Sequence, residues 1–304
     1  MLRRILLASV GAIALTGSAA FAADLPSRAP PPVYLPPPPV FTWTGLYVGI
    51  NAGYTWSDSN SVDTATANLD PLNGIVGETE ANITSAALAT TSVPLRNDGF
   101  IGGGQIGYNF QFANSFVVGL EADFQGVAAD ASTTRFSQGP VAGFPANPID
   151  QTLSASRRLD WLGTVRGRLG FTITPTLLVY GTGGLAYGQT RASTTITQFI
   201  ENSAALPNPY SSFGSFSNTR VGWTAGGGVE WLFLPNWSVK AEYLYYDLGS
   251  VTYGLSPLQN FTTAGALFTS GAPISSTRFK GNIVRAGLNY HFNLWAPGPV
   301  VAKY

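Results

Sequence analysis

The charged side chains that could perform chemistry recur on alternate residues of short segments. Glu121 and Asp123 share one face of an extended strand, an arrangement that could serve general acid and base catalysis. Arg166 and Arg168 have the same spacing, which favours structural ion pairs over catalysis. Six basic and five acidic residues form the candidate set, and their near balance predicts an ion-pair network. The set comprises Glu121, Asp123, Arg158, Asp160, Arg166, Arg168, Arg220, Glu230, Lys240, Glu242 and Arg285.

Other residues with catalytic or binding potential are isolated. The chain has one histidine, His291, and no cysteine, so thiolate nucleophiles and cysteine metal sites are excluded. A lone histidine near a strand end is more often a hydrogen-bonded residue of the protein interior than a general base. Residues 102–107 match the glycine pattern of dinucleotide sites, but the alternating residues that follow leave no helix to hold a pyrophosphate. We therefore predict no catalytic residue, no cofactor and no metal.

Composition restricts the class of protein further. Only 11% of the residues are charged, which is sparse for a soluble surface, and 16 basic residues balance 16 acidic ones. With no net charge, the chain lacks the field that concentrates nucleic acid, so we expect no nucleic-acid partner.

The charged residues lie in segments where apolar and polar side chains alternate, which is the pattern of a strand with two different faces. There are eight such segments. They cover residues 45–56, 100–112, 116–125, 158–171, 177–188, 220–233, 237–245 and 284–292. The fifth is rich in glycine, and its register stays open. Each segment is close to the roughly 9 to 11 residues that a tilted strand needs to cross a membrane.

The connections between these segments alternate strictly between short and long. Short connections cover 113–115, 172–176 and 234–236, and long ones cover 57–94, 128–155, 189–218 and 250–275. This alternation predicts an all-β fold, an eight-stranded antiparallel transmembrane β-barrel with short periplasmic turns and four long extracellular loops. Aromatic residues near both ends of the strands are predicted to form the interfacial girdles. They are Trp56, Phe112, Trp237, Tyr245 and Phe292.

A secreted β-sandwich is the alternative, because it also consists of alternating strands. The polar face distinguishes the two folds, since here it carries glycines and charges of both signs, as expected in a narrow lumen. An unpaired charge in such a space is costly, so the balance predicts a lumen plugged by ion pairs.

The two ends of the chain differ from the barrel, which is predicted to span residues 42–292. Residues 1–22 have the basic start, apolar run and small-residue cleavage site of a signal peptide. Residues 23–41 form a proline-rich linker on the periplasmic side, and 293–304 form a tail. Phe292 resembles the terminal aromatic residue by which the barrel assembly machinery selects outer-membrane proteins. Whether Phe292 or Tyr304 has that role stays open.

Four motifs are specific enough to indicate a family, namely WTGLYVG at 43–49, VGLEAD at 118–123, LDWLGTVRGR at 159–168 and EYLYYD at 242–247. Together they resemble the porin-family β-barrels of alphaproteobacteria that are known as outer membrane immunogenic proteins. The resemblance implies a barrel similar to the transmembrane domain of OmpA, in the outer membrane of a Gram-negative cell.

The resemblance also implies a structural role in envelope integrity and surface exposure. We expect contact with outer-membrane lipid and lipopolysaccharide, and host or extracellular ligands at the loops. A narrow channel for small solutes is the alternative function, and an outer-membrane enzyme is a distant third.

Overall fold

The computed structural model describes residues 42–69, 78–204, 208–261, 265 and 267–292. The predicted signal peptide, linker and tail lie outside these residues and stay predictions. Eleven strands and one helix occur in the described part of the chain. They are β1 Gly45–Ser57, β2 Ser61–Asn68, α1 Glu78–Ala89, β3 Thr91–Pro94, β4 Asp98–Phe112, β5 Phe116–Val141, β6 Phe144–Thr174, β7 Leu177–Ile200, β8 Tyr210–Leu234, β9 Trp237–Gly254, β10 Leu258–Phe261 and β11 Leu267–Phe292.

Eight of the strands close into a ring. The order is β1, β4, β5, β6, β7, β8, β9 and β11, and β11 pairs with β1 again. Every pairing is antiparallel, so the eight-stranded barrel predicted from the alternation is confirmed. The Gly-rich fifth segment belongs to β7, whose Gly183 lies opposite Gly167 of β6 and Ala225 of β8.

Short turns join the strands at one end of the ring, which we call the turn end. The opposite end, which we call the extension end, differs from the prediction. β5 and β6 continue to a turn at 142–143, and β7 runs on to Ile200, so most of the predicted loops 128–155 and 189–218 are strand. These stretches were predicted to be loops because they connect the alternating segments, but they are rich in β-branched threonine, which favours extended backbone. Their inner faces bury Leu153 and Ile196.

The predicted loop 57–94 also contains regular structure, namely β2, α1 and β3. Helix α1 contacts β2, β5, β6 and β11 and buries Ala81, Ala86 and Ala89. Ser85 Oγ lies 2.8 Å from Ser270 Oγ, and Tyr210 Oη donates to Asn82 Oδ1 over 3.2 Å. The helix therefore lies inside the ring at its extension end.

No helix in the described residues is both long and apolar enough to cross a membrane.

The ring is apolar on its outer face and partly charged on its inner face, whereas a soluble β-sandwich is polar outside and apolar inside. Large apolar side chains on the outer face are exposed, including Phe100 at 74%, Ile50 at 67% and Leu120 at 67%. The inner face is apolar near α1, where Leu159, Phe279 and other residues form one cluster, and it is charged toward the turn end. Exposed apolar residues around buried charges are the arrangement of a membrane barrel.

Candidate functional site

The candidate site is a cluster of eight buried charged residues that the strands direct into the ring, which we call the lumen network. Each residue is at most 4% exposed. Four acids face four bases, so the formal charge of the network is zero. The members are Glu121 and Asp123 on β5, Arg166 and Arg168 on β6, Glu230 on β8, Lys240 and Glu242 on β9, and Arg285 on β11.

Arg166 and Arg285 hold the part of the network nearer the extension end. Arg166 donates from Nη1 to Glu242 Oε1 over 2.9 Å and from Nη2 to Asp123 Oδ2 over 2.8 Å, and it also contacts Glu121. Arg285 donates to Glu242 Oε2 from Nε over 2.7 Å and to Asp123 Oδ2 from Nη2 over 2.9 Å. These contacts join β5, β6, β9 and β11 across the interior.

Lys240 and Arg168 hold the part nearer the turn end. Lys240 Nζ donates to both carboxylate oxygens of Glu121, over 2.9 Å and 3.0 Å. Arg168 Nη2 donates to Glu230 Oε2 over 2.6 Å, and its guanidinium lies 3.9 Å from the centroid of the Tyr180 ring. The interior is therefore bridged from β5 to β9 and from β6 to β8.

Neutral side chains complete the lumen network, and the sequence analysis did not identify them. Tyr47 Oη donates to Glu121 Oε2 over 2.6 Å and accepts from Arg168 Nη1 over 2.7 Å. Asn289 Nδ2 donates to Glu230 Oε1 over 2.7 Å. Tyr47 and Asn289 lie in the polar phase of their strands, and that phase is the signal that could have located them.

His291 is buried beside the network at the turn end. Ser238 Oγ lies 2.9 Å from His291 Nε2 and donates to Glu230 Oε1 over 2.6 Å, while Nε2 is 3.3 Å from the same carboxylate oxygen. The hydroxyl and the carboxylate thus share one ring nitrogen, whereas a catalytic triad uses both nitrogens. The Trp43 ring packs edge-on against His291 at 5.5 Å and is itself 1% exposed. Ser238, His291 and Glu230 are thus packed as part of the wall.

Three predicted members lie outside the network, so that part of the prediction was wrong. The register of β6 shifts between Leu159 and Trp161, which reverses the faces of the residues beyond it. The Arg158 side chain is 52% exposed and its Nε lies 3.0 Å from Asp130 and 2.6 Å from Asp160. Asp160 also pairs with Arg191 Nε at 2.7 Å.

Arg220 is the third misplaced member. It is partly exposed and donates from Nη2 to the carbonyl oxygen of Ser250 over 3.1 Å, near the extension end. Arg157 takes the inward position predicted for its neighbour: it is 2% exposed and donates to the carbonyl oxygen of Ser59 over 2.8 Å. A single register shift therefore exchanges an exposed arginine for a buried one.

The predicted girdle residues lie on the outer face or at its ends. Phe112 stacks on Phe116 at 5.7 Å, and Trp237 packs against Tyr290, which also contacts Phe292. These pairs are at the turn end. Toward the extension end, Tyr245 packs against Trp223 at 5.3 Å, and Trp56 is half-buried opposite Asn282.

Metal ligands do not cluster in the described residues: no group of three or more histidine or acidic side chains has the geometry to hold an ion. The lumen network has each carboxylate engaged by arginine or lysine instead.

Comparison with known proteins identifies the family. Residues 11–292 match the family model described as outer membrane protein beta-barrel domain. The 31 kDa outer-membrane immunogenic protein of Brucella melitensis is 34% identical over 292 residues, which cover 96% of this chain and all of that protein. The 22 kDa outer membrane protein of Rhizobium leguminosarum bv. viciae is 32% identical over 50% of this chain and 56% of its own length.

A solved structure, that of OprG from Pseudomonas aeruginosa, is similar over 82% of this chain and 97% of its own, with 11% identity and a TM-score of 0.36. The family model describes an outer-membrane barrel and both relatives are named outer-membrane proteins; the matches of the family model and of the Brucella protein extend over the whole barrel. This chain is therefore an outer-membrane protein that belongs to the outer membrane protein β-barrel domain family.

Proposed function

We propose that this protein is a structural, surface-exposed barrel whose lumen network closes the interior to ions and solutes. The observation that carries the proposal is the balance of the network, in which four buried acids and four buried bases bridge opposite walls of the ring. Moving an ion through this region would require breaking several charge-assisted hydrogen bonds in a space of low dielectric, which is costly.

Packing on both sides of the network supports the same function. The apolar cluster and α1 fill the interior toward the extension end, and Gln198 Nε2 donates to the carbonyl oxygen of Ser85 over 2.8 Å. Toward the turn end, Trp43 Nε1 donates to the carbonyl oxygen of Pro175 over 3.1 Å and packs with Val117 and Leu178. A closed barrel of this kind acts through its outer surfaces, by holding the membrane and by presenting the extension end.

Surface exposure is supported by the relatives. The Brucella relatives carry the name immunogenic protein, and we extend that property to the extension end of this chain. Its strands continue for several residue pairs beyond the outer aromatic residues, and the Phe136 side chain there is 75% exposed. Host or extracellular molecules would meet this part of the protein first.

Conductance of the refolded protein in planar bilayers tests the proposal against the channel alternative. We expect no stable unitary steps from the wild-type protein, while heat-dependent mobility on gels verifies that it has folded. Stable, reproducible steps that disappear when Glu121 and Arg166 are neutralised together would contradict the structural function and support a narrow channel through the network.

A further inference from the structure

Two arginines on the outer wall form a paired cationic site near the extension end. Arg158 of β6 and Arg191 of β7 are direct cross-strand neighbours, and their side chains are 52% and 57% exposed. Like charges directly opposite one another destabilise a sheet unless something compensates them. Asp160 provides part of that compensation because its two carboxylate oxygens contact the Nε atoms of the two arginines.

The way these arginines are held leaves their donor ends available. Arg158 contacts Asp130 and Asp160 through Nε, and Arg191 contacts Asp160 through Nε. Among the described residues, the Nη nitrogens of the two arginines donate no hydrogen bond. Two neighbouring guanidinium groups with free Nη nitrogens can bind phosphate oxygens bidentately.

The position of the pair places it at the level of lipid head groups. Trp161 lies three residues from Arg158 along β6 and packs against Phe124 at 5.3 Å and Tyr187 at 5.9 Å. Aromatic residues of this kind mark the membrane interface of a barrel. The arginine pair therefore lies on the outer side of this aromatic belt, at the level of the lipid head groups and toward the extension end.

An apolar groove adjoins the pair on the membrane-facing wall. It has a volume of about 840 Å³, and its lining includes the small residues Ala52, Gly102 and Ala128, the larger Tyr54 and Phe100, and Asp160. A Cβ atom at Gly126, which also lines the groove, would have no neighbour closer than 4.0 Å. Packing within the barrel thus does not require a glycine at this position.

We propose that Arg158 and Arg191 bind the phosphate of an outer-leaflet glycolipid whose acyl chain occupies this groove. The two aspartates neutralise the formal charge of the arginines, so recognition depends on directed hydrogen bonds to phosphate more than on long-range attraction. The inference goes beyond the proposed function because it concerns the outer wall, and it holds whether or not the lumen conducts.

Native mass spectrometry of the full-length mature protein in detergent, with diphosphorylated lipid A added, tests the site. We expect the wild-type protein to retain lipid A and R158Q/R191Q to bind it about tenfold more weakly. Both proteins should bind dephosphorylated lipid A equally. R278Q is the matched control. The Arg278 side chain is also 52% exposed, but its Nη2 already contacts Asp247 Oδ2 at 2.5 Å, so its loss should leave binding unchanged.

Two further variants keep the test decisive. R158K/R191K retains both charges without the planar donors, and it should lose most of the preference for phosphorylated lipid while remaining folded. G126L fills the groove and should weaken binding of phosphorylated and dephosphorylated lipid alike. Equal lipid A binding by wild type and R158Q/R191Q would overturn the assignment. Displacement of lipid A by inorganic phosphate at equal concentration would also overturn it, because the site would then recognise a soluble anion.

Discussion

Replacing Arg166 by methionine tests the lumen network at its most connected base. The change keeps most of the side-chain length and removes contacts with Glu121, Asp123 and Glu242. Four buried acids then face three bases, and one carboxylate is left without its compensating charge. Removing one partner of a buried ion pair costs about 3 to 5 kcal/mol, so we expect R166M to lose that much free energy of unfolding.

Urea unfolding in detergent micelles, followed by tryptophan fluorescence and by gel mobility, measures the loss. R158M is the matched control, because Arg158 lies on the same strand and has two acidic neighbours but is half exposed. An exposed ion pair contributes about 0 to 1 kcal/mol, so R158M should lose no more than that.

The double variant E121Q/R166M provides the stricter test. It leaves three acids and three bases in the network. Its loss of unfolding free energy should therefore be smaller than the sum of the losses in E121Q and R166M. The reasoning is refuted if R166M loses no more stability than R158M, or if the losses in E121Q/R166M simply add.

Three further predictions concern the ends and the walls of the barrel. Replacing Trp43, which is 1% exposed, by alanine should lower the free energy of unfolding by about 3 to 5 kcal/mol in the same urea assay. G107A should lose about 1 to 3 kcal/mol of unfolding free energy because its new methyl group would overlap the Tyr47 ring. G104A should change the unfolding free energy by no more than about 0.5 kcal/mol, because its new methyl group would lie 3.8 Å from the nearest atom. Q198A should lower the opening free energy of α1 by about 1 to 3 kcal/mol, seen as faster hydrogen exchange over 78–89, and unchanged exchange would contradict the contact.

The strand count and the closure of the ring could be predicted from the sequence because period-two polarity is a local property. Six of the network members, Glu121 and Asp123 among them, lie on stretches of strand in which the inward phase does not change, and Arg166 and Arg168 come after the shift in β6. The positions of all eight members therefore followed from the alternation alone.

The misplaced residues could not be predicted in the same way. A register shift in β6 depends on pairing with two neighbouring strands, which no short segment encodes, so Arg158 and Asp160 were assigned to the wrong face. Helix α1 was missed because its alanines, threonines, serine and asparagine form no clear apolar stripe, and tertiary contacts such as Ser85 with Ser270 hold it in place.

The central claim is that the interior of the barrel is packed and closed, and thiol accessibility tests it directly. The chain has no cysteine, so one can be placed at Asn109, which is 0% exposed and whose side chain makes no hydrogen bond to the described residues. Ser217 at the extension end is exposed and serves as the control position. In folded protein in liposomes, we predict that a small charged thiol reagent labels S217C rapidly and labels N109C only after unfolding. Labelling of N109C at a rate close to that of S217C would contradict the closed interior.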